Sequence, residues 1–282
     1  MHWSLRKGTQ AAQKLPINWE DQCERSAMRK AYVIKEEDIP PQLWVNSDQT
    51  KMVYAPGGQL TWGETGAKQI QVLGNDEKRA ITVFVSVSSD GTLLPMQVIY
   101  GGKSARSCPT VEAPHYTDLV NEGFLLQESG TTTYWSTLGT MKTFVDKILA
   151  PYFEKWKKDL GLSPLQKSFW TIDAWSVHRS QEFRAWMRKE HPTIILDYVP
   201  GGCTGVAQPC DVGIQRPFKL SIKRSYHEDV VADILEQFDE GVAVVRMDTR
   251  LPTIREKSTR WIWNAYRALS DRDLVKKVAH FV

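Results

Sequence analysis

The stretch from Ala80 to Gly91 limits the fold more than any other part of the chain. Ile81, Val83, Val85 and Val87 alternate with Thr82, Phe84 and Ser86, the period of two that places side chains on opposite faces of a β-strand. Ser89-Asp90-Gly91 follows, and Asp-Gly supplies the positive φ angles that a tight hairpin needs. The chain must therefore turn back antiparallel, and a sheet is required. The returning strand, Thr92 to Tyr100, contains Pro95. Proline cannot donate to a ladder, so this strand is expected at a sheet edge. Upstream, Leu43-Trp44-Val45 reads as a short buried strand ending at Asn46-Ser47-Asp48, and Met52 to Asn75, rich in glycine and β-formers, reads as hairpins.

Downstream the period changes. Met141, Phe144, Val145, Ile148, Leu149, Tyr152, Phe153 and Trp156 fall at helical spacing within about Leu138 to Leu160, with Gly161 as the C-terminal stop and Pro151 as a kink. A strand over Ser168 to Asp173, a helix near Ser180 to Glu190 and a strand over Thr193 to Val199 come next, ended by Pro200-Gly201-Gly202. Three strands in a meander followed by helical crossovers predict an α/β fold with a mixed sheet ordered 3-2-1-4-5. In that order the first and fourth strands are parallel neighbours, and their C-terminal ends carry Asp48 and Asp173. Trp19, Cys23 and Ala27 repeat at i+4 before the consecutive prolines Pro40 and Pro41, which forbid helix. The expected division is a leading segment and helix over 1–41, a core over 42–239, and a helical tail over 240–282 packed on that core.

Composition narrows the function classes. Hydrophobic residues make up 41% of the 282, enough for a sizeable core. No stretch of roughly 18 apolar residues exists, so no membrane span is expected, and the first residues lack a secretory signal. Cys23, Cys108, Cys203 and Cys210 form no C-x-x-C pair and have no histidine at zinc-finger spacing, which reads as free thiols in a reducing compartment. A net charge of +3 is too small to mark a nucleic-acid binder by itself, so clustering must decide.

Among 33 acidic residues, three stand out by context. Asp48 and Asp173 end adjacent strands, and Asp211 follows Gln208-Pro209 where a helix should begin. Carboxylates are the hard oxygen ligands that Mg²⁺ prefers, and a pair of ions ~3.5–4 Å apart can activate an attacking oxygen and stabilise a leaving one. The same residues resemble a family. Asn46-Ser47-Asp48-Gln49-Thr50 is similar to the N-x-D-[EQ]-T element of pogo/Tigger-type transposases of the mariner superfamily. Thr171-Ile172-Asp173, with His178 five residues beyond the aspartate, is similar to their second-aspartate motif, and Pro200 to Asp211 is similar to their P-x-x-x-T-x-x-x-Q-P-x-D run. Between Asp173 and Asp211 lie 37 residues, a separation this superfamily tolerates.

The resemblance runs from about Trp3 through the pattern Trp261 to Phe281. It implies an RNase H-like (retroviral-integrase-like) fold and a DDE catalytic core that cuts and transfers DNA strands. It further implies Asp48, Asp173 and Asp211 as catalytic residues and ligands of two Mg²⁺ or Mn²⁺ ions. DNA would be the partner, with a homo-oligomer on DNA, no small-molecule substrate and the nucleus as the site of action. Trp3-Ser4-Leu5-Arg6 resembles the junction that follows the family's helix-turn-helix region, so base-specific reading is not expected of these residues. Ala174 and the Gly201-Gly202 pair depart from the best-known members without removing a ligand.

Simpler readings stand beside these. Asp48 could cap a turn, Asp173 could cap the following segment, and Asp211 could be an ordinary first-turn carboxylate. Asp197 is a rival third acid, although its mid-strand position suggests a surface or hydrogen-bonded role. His178 reads as a polar residue orienting a helix start. After Asp211, Gln215 and Lys219 fall on the metal-facing stripe while Ile214, Phe218 and Ile222 point to the core, and Pro217 should bend the helix. Arg216, Lys219, Lys223 and Arg224 are the candidate DNA-binding residues; a solvated basic face is the alternative. Arg246, Arg250, Arg255, Lys257 and Arg260 read rather as such a face. Two further functions stay open: a domesticated transposase-derived module that binds DNA or protein without catalysis, and an RNase H-like nuclease acting on RNA or hybrids.

Overall fold

The computed structural model describes residues 3–7, 15–54, 60–64, 79–242 and 246–279. Along the chain come β1 (Trp3–Lys7), α1 (Trp19–Glu36), β2 (Trp44–Val53), β3 (Leu60–Glu64), β4 (Ala80–Ser88) and β5 (Gln97–Tyr100). Then follow α2 (Tyr116–Glu122), β6 (Leu125–Glu128), α3 (Leu138–Phe144), α4 (Ala150–Asp159), β7 (Ser168–Ile172), α5 (Gln181–Glu190) and β8 (Ile194–Tyr198). The chain continues through α6 (Thr204–Ala207), α7 (Gln215–Asp239), α8 (Leu251–Leu269) and α9 (Arg272–Ala279). None of the described helices is long and apolar enough to cross a membrane.

The main sheet has the order β6-β5-β4-β2-β7-β8. Within it lies the expected 3-2-1-4-5 arrangement of an RNase H-like fold: β4 is antiparallel to β2 and β5, and β2, β7 and β8 run parallel. The edge assignment needs correction. The strand after Pro95 is internal, because β6 pairs with it in parallel from Gln97↔Leu125 to Tyr100↔Glu128. Proline escapes the ladder by position: Leu93 still bridges Val87, pairing lapses at Pro95, and regular strand resumes at Gln97. At the turn, Gly91 takes φ +96° while Asp90 stays at negative φ.

Every residue of β4 is buried because both faces of the sheet are covered. Ile81, Val83, Val85 and Val87 face a core shared with Phe218 and Ile222 of α7 and Trp261, Ile262 and Leu269 of α8. Phe84 faces the opposite core with Phe144, Phe153, Trp170 and Phe183. The strict alternation in the sequence thus serves two cores. Of the hairpins read over Met52 to Asn75, β3 instead pairs antiparallel with β1, and residues 55–59 and 65–78 lie outside the described part.

The long helix expected over Leu138 to Leu160 is two helices joined by a π-helical turn, Val145–Leu149, which lets the chain pass Pro151 without a break. A second π-turn, Cys210–Ile214, leads into α7. Pro217 is the third residue of α7, directly after that π-turn, so the bend expected of it would fall at the start of the helix rather than midway. Gly161 ends α4 as expected, at φ +65°, with Leu162 N–H donating to Lys157 at 2.8 Å.

Candidate active site

The carboxylate end of the sheet is built by three chain segments, and one side chain holds all three. Asn46, on β2, donates to the Thr171 carbonyl at 3.1 Å and accepts from the Cys210 N–H at 3.1 Å. Asp48, Asp173 and Asp211 lie two, two and one residues beyond those anchor points. Gln208, fully buried, donates to the Ser47 carbonyl at 3.2 Å, so the Gln-Pro turn is fastened to the same strand. Ser47 itself accepts from the Trp170 indole at 2.9 Å and shares a hydrogen bond with Ser86. The motif residues between the aspartates therefore form the scaffold that registers them.

Asp48 does not end its strand. β2 runs on to Val53 because its antiparallel ladder with β4 extends from Val45 to Val53, whereas its parallel pairing with β7 stops at Asn46. Asp48 thus lies just past the last β2–β7 pair. Asp173 directly follows the end of β7, and Asp211 lies in the π-turn before α7.

Asp48 is 7% exposed. Burial pushes its carboxyl well above the usual range, and the charges of Asp211 and Asp173 push it the same way; the Asp211 carboxyl lies within hydrogen-bonding reach. The Gln215 amide donates to Asp48, Thr50 donates to Gln215 Oε1 at 3.0 Å, and Lys219 Nζ donates to the same oxygen at 3.2 Å. Desolvation lowers the Lys219 ammonium from its ordinary value, opposed by the attraction of Asp211 and Asp48. Burial raises the Cys210 thiol well above its ordinary range, reinforced by Asp48 and Asp211, so that thiol stays neutral.

Asp173 faces a different partner. His178, fully buried, brings Nδ1 to 2.7 Å from Asp173 Oδ1, and its backbone carbonyl accepts from the Tyr198 hydroxyl at 2.6 Å. Its Nε2 is 3.5 Å from the Gln49 amide, whose Oε1 accepts from Ser136 at 2.7 Å. The helix-orienting role expected of His178 belongs instead to Ser180, which caps α5 by accepting from Phe183 N–H at 3.1 Å. The i+5 spacing was the only sequence signal for this contact.

The charges of Asp211 and Asp173 both bear on the buried Asp48, with Gln215 and Lys219 beside it. Among the described residues, no three aspartate, glutamate, histidine or cysteine side chains converge tightly enough to hold a metal as they stand. The donor chemistry nonetheless fits a hard cation: two carboxylates act on a third, and burial disfavours the charged form of that third unless positive charge is added. Asp197 is engaged elsewhere, with Arg29 at 2.7 Å.

Of the candidate DNA-binding residues, Arg216 and Arg224 are exposed and Lys223 is partly buried on α7; Lys219 turns toward the carboxylates. In the second basic cluster, Lys257 pairs with Asp233 and Arg250 with Asp248, each at 2.7 Å, and Arg260 pairs with Asp229. That cluster is largely neutralised within the molecule.

The profile of the DDE superfamily endonucleases matches residues 78–276, which include Asp173 and Asp211 and begin after Asp48. The chain belongs to that family. It is also similar to the protein named pogo transposable element with KRAB domain from Mus musculus, 22% identical over 232 residues, covering 82% of this chain and 34% of that protein. The Homo sapiens protein of the same name is 21% identical over 277 residues, covering 97% of this chain and 40% of its own length. The chain therefore spans well under half of these relatives. Among solved structures, the Mos1 mariner paired end complex with Mn aligns over 98% of this chain and 62% of that one, with 9% identity and a TM-score of 0.49. The catalytic domain of Mos1 mariner transposase aligns over 93% and 98%, with 11% identity and a TM-score of 0.39.

Proposed function

We propose that this chain is the catalytic core of a pogo-type cut-and-paste transposase, a metal-dependent DNA endonuclease and strand-transfer domain acting in the nucleus as a homo-oligomer on DNA. The observation that carries the reading is the buried Asp48 carboxylate, on which the charges of the two other motif aspartates act. Asp48, Asp173 and Asp211 would hold two Mg²⁺ or Mn²⁺ ions. Bound there, the ions would polarise the scissile phosphate and lower the pKa of an attacking water or hydroxyl. The chain's own residues do the rest. His178 stands against Asp173, its Nδ1 3.2 Å from the Asp173 carbonyl and 2.7 Å from Oδ1, Asn46 keeps the three segments in register, and Lys219 sets a positive charge beside the carboxylates where a phosphate would lie. Arg216, Lys223 and Arg224 continue that charge along α7 as sequence-independent phosphate contacts.

A second reading, a DNA- or protein-binding module without chemistry, is favoured by one observation: the Gln215 amide already occupies Asp48. Nicking of supercoiled DNA in Mg²⁺ or Mn²⁺ separates the two. The catalytic reading expects nicking by the parent chain, none by Asp211→Asn, and most of it retained by Asp197→Asn. An inactive parent favours the binding module, and an inactive Asp197→Asn beside an active Asp211→Asn would show that the third ligand is misassigned.

A further inference from the structure

Trp135 is 53% exposed, yet the backbone around it is tied down. The Thr133 carbonyl accepts from Ser129 Oγ at 2.5 Å, and the Tyr134 carbonyl accepts from Thr82 Oγ1 at 2.7 Å. Ser136, buried, donates to Gln49 Oε1 at 2.7 Å. Thr137 then caps α3 through a reciprocal pair of hydrogen bonds with Thr140. The residues flanking Trp135 are fixed, and the indole is held out in water. Single exposed apolar side chains are common and need no explanation; rigid presentation, company and location distinguish this one. The Tyr134 ring lies 5.0 Å from the indole at an interplanar angle of 33°, and Lys51 Nζ stands 5.7 Å from the Tyr134 centroid. Lys51 is three residues beyond Asp48 on β2. Gln49, which anchors Ser136, adjoins Asp48 and reaches His178, the partner of Asp173. The aromatic pair is therefore fastened to the residues that frame the carboxylates.

We infer that Trp135 and Tyr134 form a stacking platform for an unpaired base of a nucleic-acid strand leading to the carboxylates, with Lys51 placed to meet that strand's phosphate. Every base has a π-face, so such a platform is tolerant of sequence, and a neighbouring cation suits a nucleotide better than an apolar ligand. Bases inside an intact duplex are already stacked, so the platform discriminates in favour of a strand with unpaired ends. This inference rests on the nucleic-acid reading of the site and deepens it by naming the state of the substrate.

The test uses the whole chain, a blunt duplex, and the same duplex carrying single-stranded tails with 2-aminopurine in the tail. The expected result is tighter binding of the tailed duplex with quenching of the 2-aminopurine. Trp135→Ala should weaken binding of the tailed duplex by roughly ten- to a hundredfold, the scale of one lost base stack, abolish the quenching, and leave the blunt duplex unchanged. Trp135→Phe should keep most of both signals. A Trp135→Ala protein with undiminished preference and quenching, or with equal loss on both duplexes, overturns the platform. A parent chain that binds both duplexes equally without quenching overturns the platform alone and leaves DNA binding intact. A parent chain that binds neither duplex overturns the nucleic-acid reading together with the platform.

Discussion

Asp48 and Asp90 are equally withdrawn from water, each 7% exposed, one within the β2–β4 ladder opposite Val85 and the other in the turn after β4, and their surroundings are opposed. At the hairpin turn, burial raises the Asp90 carboxyl, but hydrogen bonds from Ser88, Thr92 and Arg272 outweigh it and leave the group below its ordinary value. The Thr92 N–H donates at 3.1 Å and the Arg272 guanidinium closes the pair. Within the ladder, burial and two acidic neighbours all drive Asp48 upward. Asp197, also 7% exposed, has Arg29, yet burial outweighs that partner and leaves its carboxyl above the ordinary value. Equal burial therefore says little about an aspartate's role; what differs is how many donors and charges oppose it, several at Asp90, one guanidinium at Asp197 and two further carboxylates acting the other way at Asp48. The fold supplies a guanidinium to two of these carboxylates and gives the third an amide and more negative charge, the arrangement of a group that awaits a cation.

Substitution should break this contrast in opposite directions. Asp90→Ala leaves the turn donors and Arg272 without their acceptor, at a cost of about 1–3 kcal/mol. Thermal unfolding should register it as a fall of several degrees, at roughly 2–4 °C per kcal/mol for a chain somewhat smaller than this one. A melting temperature equal to the parent's would mean that the Asp90 network contributes nothing. Asp48→Asn, measured without divalent metal, should instead raise the melting temperature by roughly 2–4 °C, because it removes repulsion yet leaves an oxygen for Gln215 to donate to. A clear fall would show that the Asp48 carboxylate is a stabilising element like Asp90.

The pH dependence sharpens the same comparison. Asp90 has a depressed value when folded, so its contribution is full above the ordinary carboxyl range and is lost as pH falls through the folded value. The stability gap between the parent and Asp90→Asn should close in acid. Asp48 has a raised value, so the folded chain binds its proton more tightly and loses stability as pH climbs from the ordinary range through the raised value. The advantage of Asp48→Asn should therefore grow with pH and vanish in acid. Urea unfolding across the acid-to-neutral range measures both: each difference shrinks in acid, but the parent is the more stable against Asp90→Asn and the less stable against Asp48→Asn, and two differences of the same sign would refute the opposed assignment.

The smallest effect expected concerns α7. With Arg216, Lys223 and Arg224 as phosphate contacts, binding of unrelated duplexes should be weak, with Kd on the order of 10⁻⁴–10⁻⁶ M at physiological salt, and steeply salt-dependent. Lys223→Ala should reduce the salt slope by about one unit. A hundredfold preference for one duplex would expose a recognition element on this chain.

Much of this arrangement was legible in the sequence because it rests on periodicity and chain order. The alternation over Ala80 to Ser88, the Asp-Gly turn and the crossovers were enough to give the 3-2-1-4-5 core and to bring β2 beside β7. What escaped has physical causes. β6, Leu-Leu-Gln-Glu, is too short and unpatterned to announce itself, so the strand after Pro95 read as an edge. Asp48 read as a strand end because three apolar residues precede it, whereas the ladder to β4 carries β2 five residues further. The two π-turns leave no mark in a pattern of period 3.6. Asn46 acts across three segments, which spacing along one strand cannot reveal, whereas the contact of His178 with Asp173 was marked only by its i+5 spacing. The lean of Gln215 toward the carboxylates was readable from its i+4 position after Asp211; its grip on Asp48 was not.

The central claim is that Asp48, Asp173 and Asp211 together hold divalent metal, and thermal unfolding in a Mn²⁺ titration tests it most directly, since an ion bound only by the folded chain stabilises it by mass action. The expected result is a melting temperature that rises with Mn²⁺ in the parent and in Asp197→Asn, with the rise largely abolished in Asp48→Asn. An equal rise in Asp48→Asn would place the ions elsewhere and contradict the account.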